Sequence, residues 1–473
     1  VSPPPTAVPT ANAIPAADLA AAVAAAQPGD TLVVSGGVFH GRLTLDRPLT
    51  LIGQGWPVLD GGGAGTVVTI AAAGSHIEGF VIRGSGSSLD QENAGIAATA
   101  PRQTIAGNRF EDTLFGIYLR EAPGSVIRDN VIHGKALAVP RRGDGIRVWA
   151  SHDTRIEHNE VTNGRDVVLW YSERLTVRGN DVRSGRYGLH FMYCDDALIT
   201  QNRLLDNSVG AFLMYSRRLR MVGNTVAGNR GPSGYGVGLK DVDDAEVRQN
   251  LFLDNRAGVY LDGSPREVDS VGQFTGNVFA YNDIGVEMLP AVRHNQFSGN
   301  SFVDNEEQVA IAGGGTPGVN EWSAAGQGNY WSDYAGYDLD GDGRGELPYR
   351  SNRLFENLMQ REPALRLFLY SPATNALDFA ARAFPLVQPQ PKLVDERPLT
   401  QPAIPTNAPP LPRPENQPWL ETAVGLIGLA LALALGLPRW QGRFTANRTR
   451  MNTDHTDQTD QNPRCPRESV SHS

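Results

Sequence analysis

Residues 188–224 read GLHFMYCDDALITQNRLLDNSVGAFLMYSRRLRMVGN, and the stretch says the same thing twice. GLHFMYC, starting at Gly188, and GAFLMYS, starting at Gly210, are strands of alternating character, and each is followed by an Asn-bearing turn. Working outward, asparagines recur at 108, 130, 159, 180, 202, 224, 250, 277 and 300, in steps of 22, 29, 21, 22, 22, 26, 27 and 23 residues. Five of them have a second Asn five residues on, as in QNRLLDN and GNTVAGN. A period of about 22 residues marks stacked repeats. Asn suits a left-handed turn, and stacked Asn side chains can hydrogen-bond from coil to coil. The same strand recurs as GIYLREA, GIRVWAS, DVVLWYS, GVGLKDV, GVYLDGS and GVEMLPA, so two inward columns can be aligned independently of the asparagines. Ile117, Ile146, Val167, Leu189, Ala211, Val237 and Val259 form one column, and Leu119, Val148, Leu169, Phe191, Leu213, Leu239 and Leu261 the next; both are apolar throughout. The expected fold is all-β, a right-handed parallel β-helix over 30–330, with insertions at Val131–Gly143, Arg230–Tyr235 and Pro265–Gly272.

The termini of a solenoid need caps, since the last coils expose edge and core. AADLAAAVAAAQPGD, Ala16 to Asp30, reads as a helix plugging the first coil, so 1–29 is a Pro/Ala-rich N-terminus with a capping helix. Residues 331–384 break the repeat and are expected to form a C-terminal cap with an acidic loop and a helical segment around LDFAARAFP. Residues 385–418 read as a semi-rigid Pro-rich linker. The apolar run AVGLIGLALALALGL, Ala423 to Leu437, places a membrane-crossing helix at 419–440, and the arginines that follow put the polar, disordered tail 441–473 in the cytoplasm and the solenoid outside. An opening without Met fits a processed N-terminus. With 52 Gly and 32 Pro the composition favours short strands and turns over helices. A net charge of -9 gives no electrostatic reason to expect a nucleic-acid partner. Two cysteines, Cys194 in the repeat and Cys465 in the tail, do not fix the redox compartment, and Cys194 aligns with Ser172 and Ser216 as a small turn residue.

With the register set, outward columns can be read. One is Tyr118, Arg147, Val168, His190, Phe212 and Gly238; the other is Arg120, Trp149, Trp170, Met192, Met214 and Lys240. His190 and Met192 leave one strand on the same face, and Met214 lies over Met192 at about 4.8 Å, the spacing of neighbouring strands. Thioethers select Cu(I), and imidazole is a competent co-ligand. Trp149, Trp170, Tyr193 and Tyr215 extend the stripe, with Tyr171 beside them, into a surface suited to docking a partner. In DLDGDGRGE, Asp338, Asp340, Asp342 and Glu346 alternate around glycines and suit a hard ion such as Ca²⁺, although Tyr349 stands where a bidentate Glu would be expected. For an enzyme, Asp195 and Asp196 beside His190, and Asp241, Asp243 and Asp244 beside Lys240, are the carboxylates to weigh. Neighbouring residues of an extended chain point opposite ways, so neither set makes an acid–base pair.

Residues 188–224, then GVGLKDVDDAEVRQNLFLDNRAGVYLDGSP, NYWSDYAGYDLDGDGRGELPYR and FLYSPATNALDFAARAFPLVQPQPKL, resemble the NosD family over roughly 30–399. The HFMY and FLMYS strands and the SPA…ALDFAARAFP segment carry the resemblance, while Asn ladders are shared by many sugar-binding β-helices. The resemblance implies a periplasmic, non-catalytic accessory protein that assembles the copper–sulfide centre of nitrous-oxide reductase. The implied partners are an ABC-transporter ATPase and permease, a copper-chaperone lipoprotein and the reductase itself. His190, Met192 and Met214 then become a surface for copper in transit, and Leu377, Phe379 and Phe384 a permease contact. The C-terminal apolar run departs from the family's usual soluble form. The competing expectation is a carbohydrate-binding or carbohydrate-active β-helix, which would need converging carboxylates in an open groove.

Overall fold

Short β-rich segments punctuated by Gly and Asn can bury their alternate apolar side chains only by stacking on copies of themselves, and the chain does so. In the computed structural model, residues 13–313, 318–351 and 391–405 are described, with scattered positions between 355 and 380. Three parallel sheets of 13, 12 and 13 strands run the length of a solenoid, each coil giving one strand to each sheet. The inward columns read from the sequence pair in register, as in Leu189 with Ala211 and Ala211 with Val237, and are buried in one continuous core.

Along the corner between the two 13-stranded sheets runs an unbroken chain of buried amides. The backbone N–H of Asn180 donates to Asn202 Oδ1 at 3.0 Å, and that of Asn202 to Asn224 Oδ1 at 2.9 Å. Each Nδ2 also donates to the next Asn and back to a carbonyl of the preceding coil, as Asn202 Nδ2 does to Val177 at 2.9 Å. The ladder runs on through Asn250, Asn277, Asn300 and Asn329. A second ladder links Asn207, Asn229, Asn255, Asn282 and Asn305. Inside the last coils Phe252, Phe279, Phe302, Trp331 and Tyr349 stack face on face, with centroids 4.3 to 5.0 Å apart.

Both ends are closed. A short helix, Leu19–Ala25, sinks Leu19 and Val23 into the first coil. At the far end the structure corrects the expected boundary, because part of the Pro-rich segment is cap and not linker. Val394–Asp395 pairs antiparallel with Tyr349–Arg350, and Asp395 Oδ2 accepts the Asn329 N–H at 2.7 Å and Trp331 Nε1 at 3.0 Å. A carboxylate accepts without donating, so it can end a chain of amides that each need an acceptor beyond them. Lys392 and Glu307 form a buried ion pair beside it. The insertions also differ from expectation. Val131–Gly134, Tyr235–Lys240 and Gly272–Thr275 are strands, and the true loops occupy two corners, before and after the 12-stranded sheet.

Leu377 is exposed in a segment whose described helical positions include it, while Phe379 and Phe384 lie outside the described residues, as do 1–12, the run 419–440 for which a membrane-crossing helix is expected, and the tail 441–473. Among the described residues no helix is long and apolar enough to cross a membrane.

Replacing Asn202 with Ala removes an acceptor for two donors of Asn180 and strands the Val177 carbonyl. Orphaned buried polar groups cost about 1–3 kcal/mol each. Asn202→Ala is expected to lose roughly 2–4 kcal/mol in denaturant unfolding; a loss below about 0.5 kcal/mol, the level of an ordinary surface change, would show that the ladder does not hold the coils.

Candidate metal and docking face

The outer face of the 12-stranded sheet carries the columns singled out above. Trp149, Trp170, Met192, Met214 and Lys240 are successive partners across five strands, and so are Arg147, Val168, His190, Phe212 and Gly238. Which part of this face is open depends on the loops. Leu89, from the loop 84–93, and Leu137, from the loop 135–145, pack with Ala94, Leu114, Phe115 and Tyr118, against which one side of Trp149 also rests, and cover the earlier coils. The coils of Asp166–Trp170, Tyr187–Met192 and Val209–Met214 enter the sheet through short turns, so Trp170, Met192, Phe212 and Met214 stay half-buried rather than covered.

At the end of each of these strands the backbone turns left-handed. Tyr171, Tyr193 and Tyr215 have φ of 53°, 56° and 51°, at a corner where other coils place Glu121, Ala150, Asp241 and Gly263. Their N–H groups bond to the next coil, Tyr171 to the Met192 carbonyl at 2.9 Å and Tyr193 to that of Met214 at 3.2 Å. A bulky side chain in this conformation is strained by about 1–3 kcal/mol. The same conformation is taken by other bulky residues of the solenoid, Trp56, His158 and Tyr281 among them. The rings of Tyr171, Tyr193 and Tyr215 stack at 5.1 and 5.2 Å, with Trp149 4.9 Å from Tyr171. A cleft of about 470 Å³ opens beside Tyr193 and Tyr215, lined also by Asp195, Arg217, Asp241 and Arg266.

Met192 and Met214 are register partners on neighbouring strands, and both are half-buried. His190, two residues before Met192, is more enclosed than its outward register suggested, at 8% exposed. Its ring packs edge-on to Trp170 and Tyr187, and its Nδ1 is buried without a hydrogen-bond partner. Two soft sulfurs and one imidazole on adjoining strands fit the donor set of a monovalent copper ion.

Beneath the strip runs a line of alternating charges that reading the two outward columns missed. Glu92, Arg147, Asp144, Arg165, Asp166 and Arg186 follow one another at 2.5 to 3.9 Å. Asp166 opens its strand, whereas Asp144 lies two residues before the preceding one, so in register Asp166 aligns with Gly145 and no single column holds both. Burial pushes the Asp144 carboxyl up to about 6, against the pull of Arg165 and with the help of the neighbouring Asp166. For Asp166 burial also acts upward, but His190 and the Arg186 guanidinium outweigh it and hold the group below the usual carboxylate range.

The other carboxylates serve turns. Asp196 pairs with both arms of Arg218, Asp195 accepts the Arg217 N–H at 2.9 Å, and Asp243 accepts those of Arg266 and Glu267. Lys240 is bound to Asp262 at 2.8 Å. Cys194 donates to the Leu169 carbonyl, and burial pushes its thiol up to about 12, which makes it an inert member of the corner. In the acidic loop, oxygens of Asp338, Asp340 and Glu346 lie within 4.8 Å of one another, and each of these residues, like Asp342, accepts a backbone N–H of the loop.

Comparison with known proteins bears on this face. A family described as "Periplasmic copper-binding protein (NosD)" matches residues 129–336, which include the whole strip. The chain is 32% identical over 398 residues to a protein of Pseudomonas aeruginosa named "Probable ABC transporter binding protein NosD", covering 77% of this chain and 87% of that one. A protein of the same name from Stutzerimonas stutzeri is 29% identical over 380 residues, covering 77% and 85%. Among solved structures, the A-module of a mannuronan C-5 epimerase of Azotobacter vinelandii is similar at 14% identity and a TM-score of 0.40, covering 64% of this chain and 91% of that one. The catalytic unit of an α-1,3-glucanase of Streptomyces thermodiastaticus is similar at 12% identity and a TM-score of 0.45, covering 67% and 70%.

Asp144 titrates near 6 when folded, against 3.8 as its ordinary value, so the folded state holds this proton more tightly than the unfolded chain does. The stability it contributes is full below 3.8 and is lost as pH rises through about 6. Asp144→Asn, which mimics the neutral form, is expected to be more stable than wild type at pH 8 by on the order of 2 kcal/mol and to lose that advantage by pH 4. Denaturant melts at the two pH values check this, and an advantage independent of pH would contradict it.

Proposed function

From the premise that this chain belongs to the NosD family, we propose that it is a periplasmic scaffold, not an enzyme, for assembling the copper–sulfide centre of nitrous-oxide reductase. It works with an ABC-transporter permease and ATPase and with a copper-chaperone lipoprotein, and it holds copper only in passage. The observation that carries this reading is the placement of Met192 and Met214 in register, two residues along the face from His190, on the stretch of sheet that the inserted loops leave open.

The donor set suits transfer. Neutral thioethers bind Cu(I) without having to lose a proton, so the ion can leave to a site of better geometry without acid–base chemistry. The strip of Trp149, Trp170, Tyr193 and Tyr215 borders the sulfurs and gives a copper-carrying partner an aromatic surface to sit on. Leu377, Phe379 and Phe384 lie apart from it in sequence and are assigned to the permease contact, leaving the copper face free for the chaperone. The acidic loop is a separate Ca²⁺ site built on Asp338, Asp340 and Glu346, with Asp342 shaping the turn, and its role is to fix the C-terminal cap.

In Cu(I) titration against a competing chelator, the double variant Met192→Leu, Met214→Leu is expected to bind at least 10-fold more weakly than wild type, and His190→Gln to weaken binding similarly; unchanged affinity in the double variant removes the site. Calcium is expected to raise the melting temperature of the full chain, and Asp338→Ala to abolish that rise. Equal melting temperatures with Ca²⁺ and with a chelator would show the loop to be a solvated turn.

A further inference from the structure

His190 Nδ1 is a buried polar atom with no hydrogen-bond partner, and the ring that carries it is wedged between Trp170 and Tyr187 at 5.3 and 4.8 Å. The carboxylate of Asp166 faces it, with Oδ2 3.7 Å from Nδ1. Asp166 is itself 2% exposed and tied down, since its Oδ1 accepts Arg186 Nε at 3.0 Å and the Tyr187 N–H at 3.1 Å. A second feature converges on the same pair. Among the described residues the 12-stranded sheet slips register once, between Asp166/Val168 on one strand and Tyr187/His190 on the next, where the His190 strand carries an extra residue. Bulges of this kind re-aim side chains and gather beside functional sites.

We propose that Asp166 is a positioning residue for His190: it takes the Nδ1 proton as a hydrogen bond and so leaves the Nε2 lone pair free for a soft metal ion. The inference rests on the copper reading of His190 given above. A neutral imidazole has one N–H, and a carboxylate on the Nδ1 side places it there. Metal-binding histidines are commonly oriented in this way by an outer carboxylate, which also makes the ring a better donor. The separation of 3.7 Å is longer than a hydrogen bond and is the kind of gap that closes when a site is loaded. Arg186 and the Tyr187 N–H fix the carboxylate, Arg186 Nε and the Tyr187 N–H on Oδ1 and Arg186 Nη2 on Oδ2, whose second lone pair is left for Nδ1, so closure falls to the imidazole.

The tautomer is read directly. In long-range proton–nitrogen spectra of the full chain labelled with ¹⁵N-histidine, at about pH 8 and without metal, the signal lost in His190→Gln is expected to show the Nδ1–H pattern; an Nε2–H pattern overturns the proposal. Since Asp166→Asn strips Arg186 of its counter-charge and lowers stability, this wild-type measurement stands independently of how that variant folds. In the folded Asp166→Asn variant, the tautomer preference is expected to relax and Cu(I) affinity to fall about 10- to 100-fold. Wild-type affinity and tautomer in that variant would refute the role of Asp166. If His190→Gln leaves Cu(I) affinity unchanged, the copper reading itself fails, whereas weakened binding in His190→Gln with unaltered binding in Asp166→Asn rejects the positioning role alone.

Discussion

A buried side-chain amide that must be satisfied by the coil above it and the coil below it governs this molecule. Along the main ladder, each Asn from Asn108 to Asn300 gives its two kinds of N–H to the next coil and returns one to a carbonyl of the previous coil, so no coil can shift along the axis or rotate about it without orphaning several buried groups. Such groups are costly when unpaired and contribute modestly when paired, so the ladder acts more on register than on total stability. The same requirement explains the ends. An amide chain needs a terminal acceptor, and Asp395, brought back from far along the sequence, supplies it to Asn329 and Trp331 together.

Fixed register turns a one-dimensional repeat into a two-dimensional surface. A side chain placed two residues along a strand and one coil up has a set position relative to its neighbour, whatever the loops do. His190, Met192 and Met214 come together on that basis, and Tyr171, Tyr193 and Tyr215 align at a corner whose left-handed backbone is ordinarily given to smaller residues. The loops decide access: where Leu89 and Leu137 fold back the face becomes core, and where the turns are short it stays available. Function in this fold is therefore a matter of which coils are left uncovered.

Much of this was legible in the sequence because periodicity is a property of the sequence. The Asn spacing and the apolar columns gave the coil and its register, and the outward columns followed from alternation. Three things were hidden, for physical reasons. The enclosure of His190 depends on Trp170 and Tyr187, one of which enters through a bulge that strict alternation cannot foresee. The line of charge through Asp144 and Asp166 lies at or just before strand starts, where each Asp alone looks like turn punctuation and only the stack reveals a buried pair. The strap at 391–405 carries Pro at both ends and reads as linker, yet one Asp and one Lys within it find buried partners that sequence separation conceals.

On the proposed reading, an ordinary solenoid surface becomes a copper-transfer site through the in-register placement of two thioethers and one imidazole. X-ray absorption spectroscopy of the full chain loaded with one equivalent of Cu(I) tests this most directly, because it counts sulfur and nitrogen neighbours around the metal. The expected shell has two sulfurs and one imidazole nitrogen and loses its sulfurs in the double variant Met192→Leu, Met214→Leu. A shell without sulfur in the wild-type chain, or one unaltered by the double substitution, would contradict that reading.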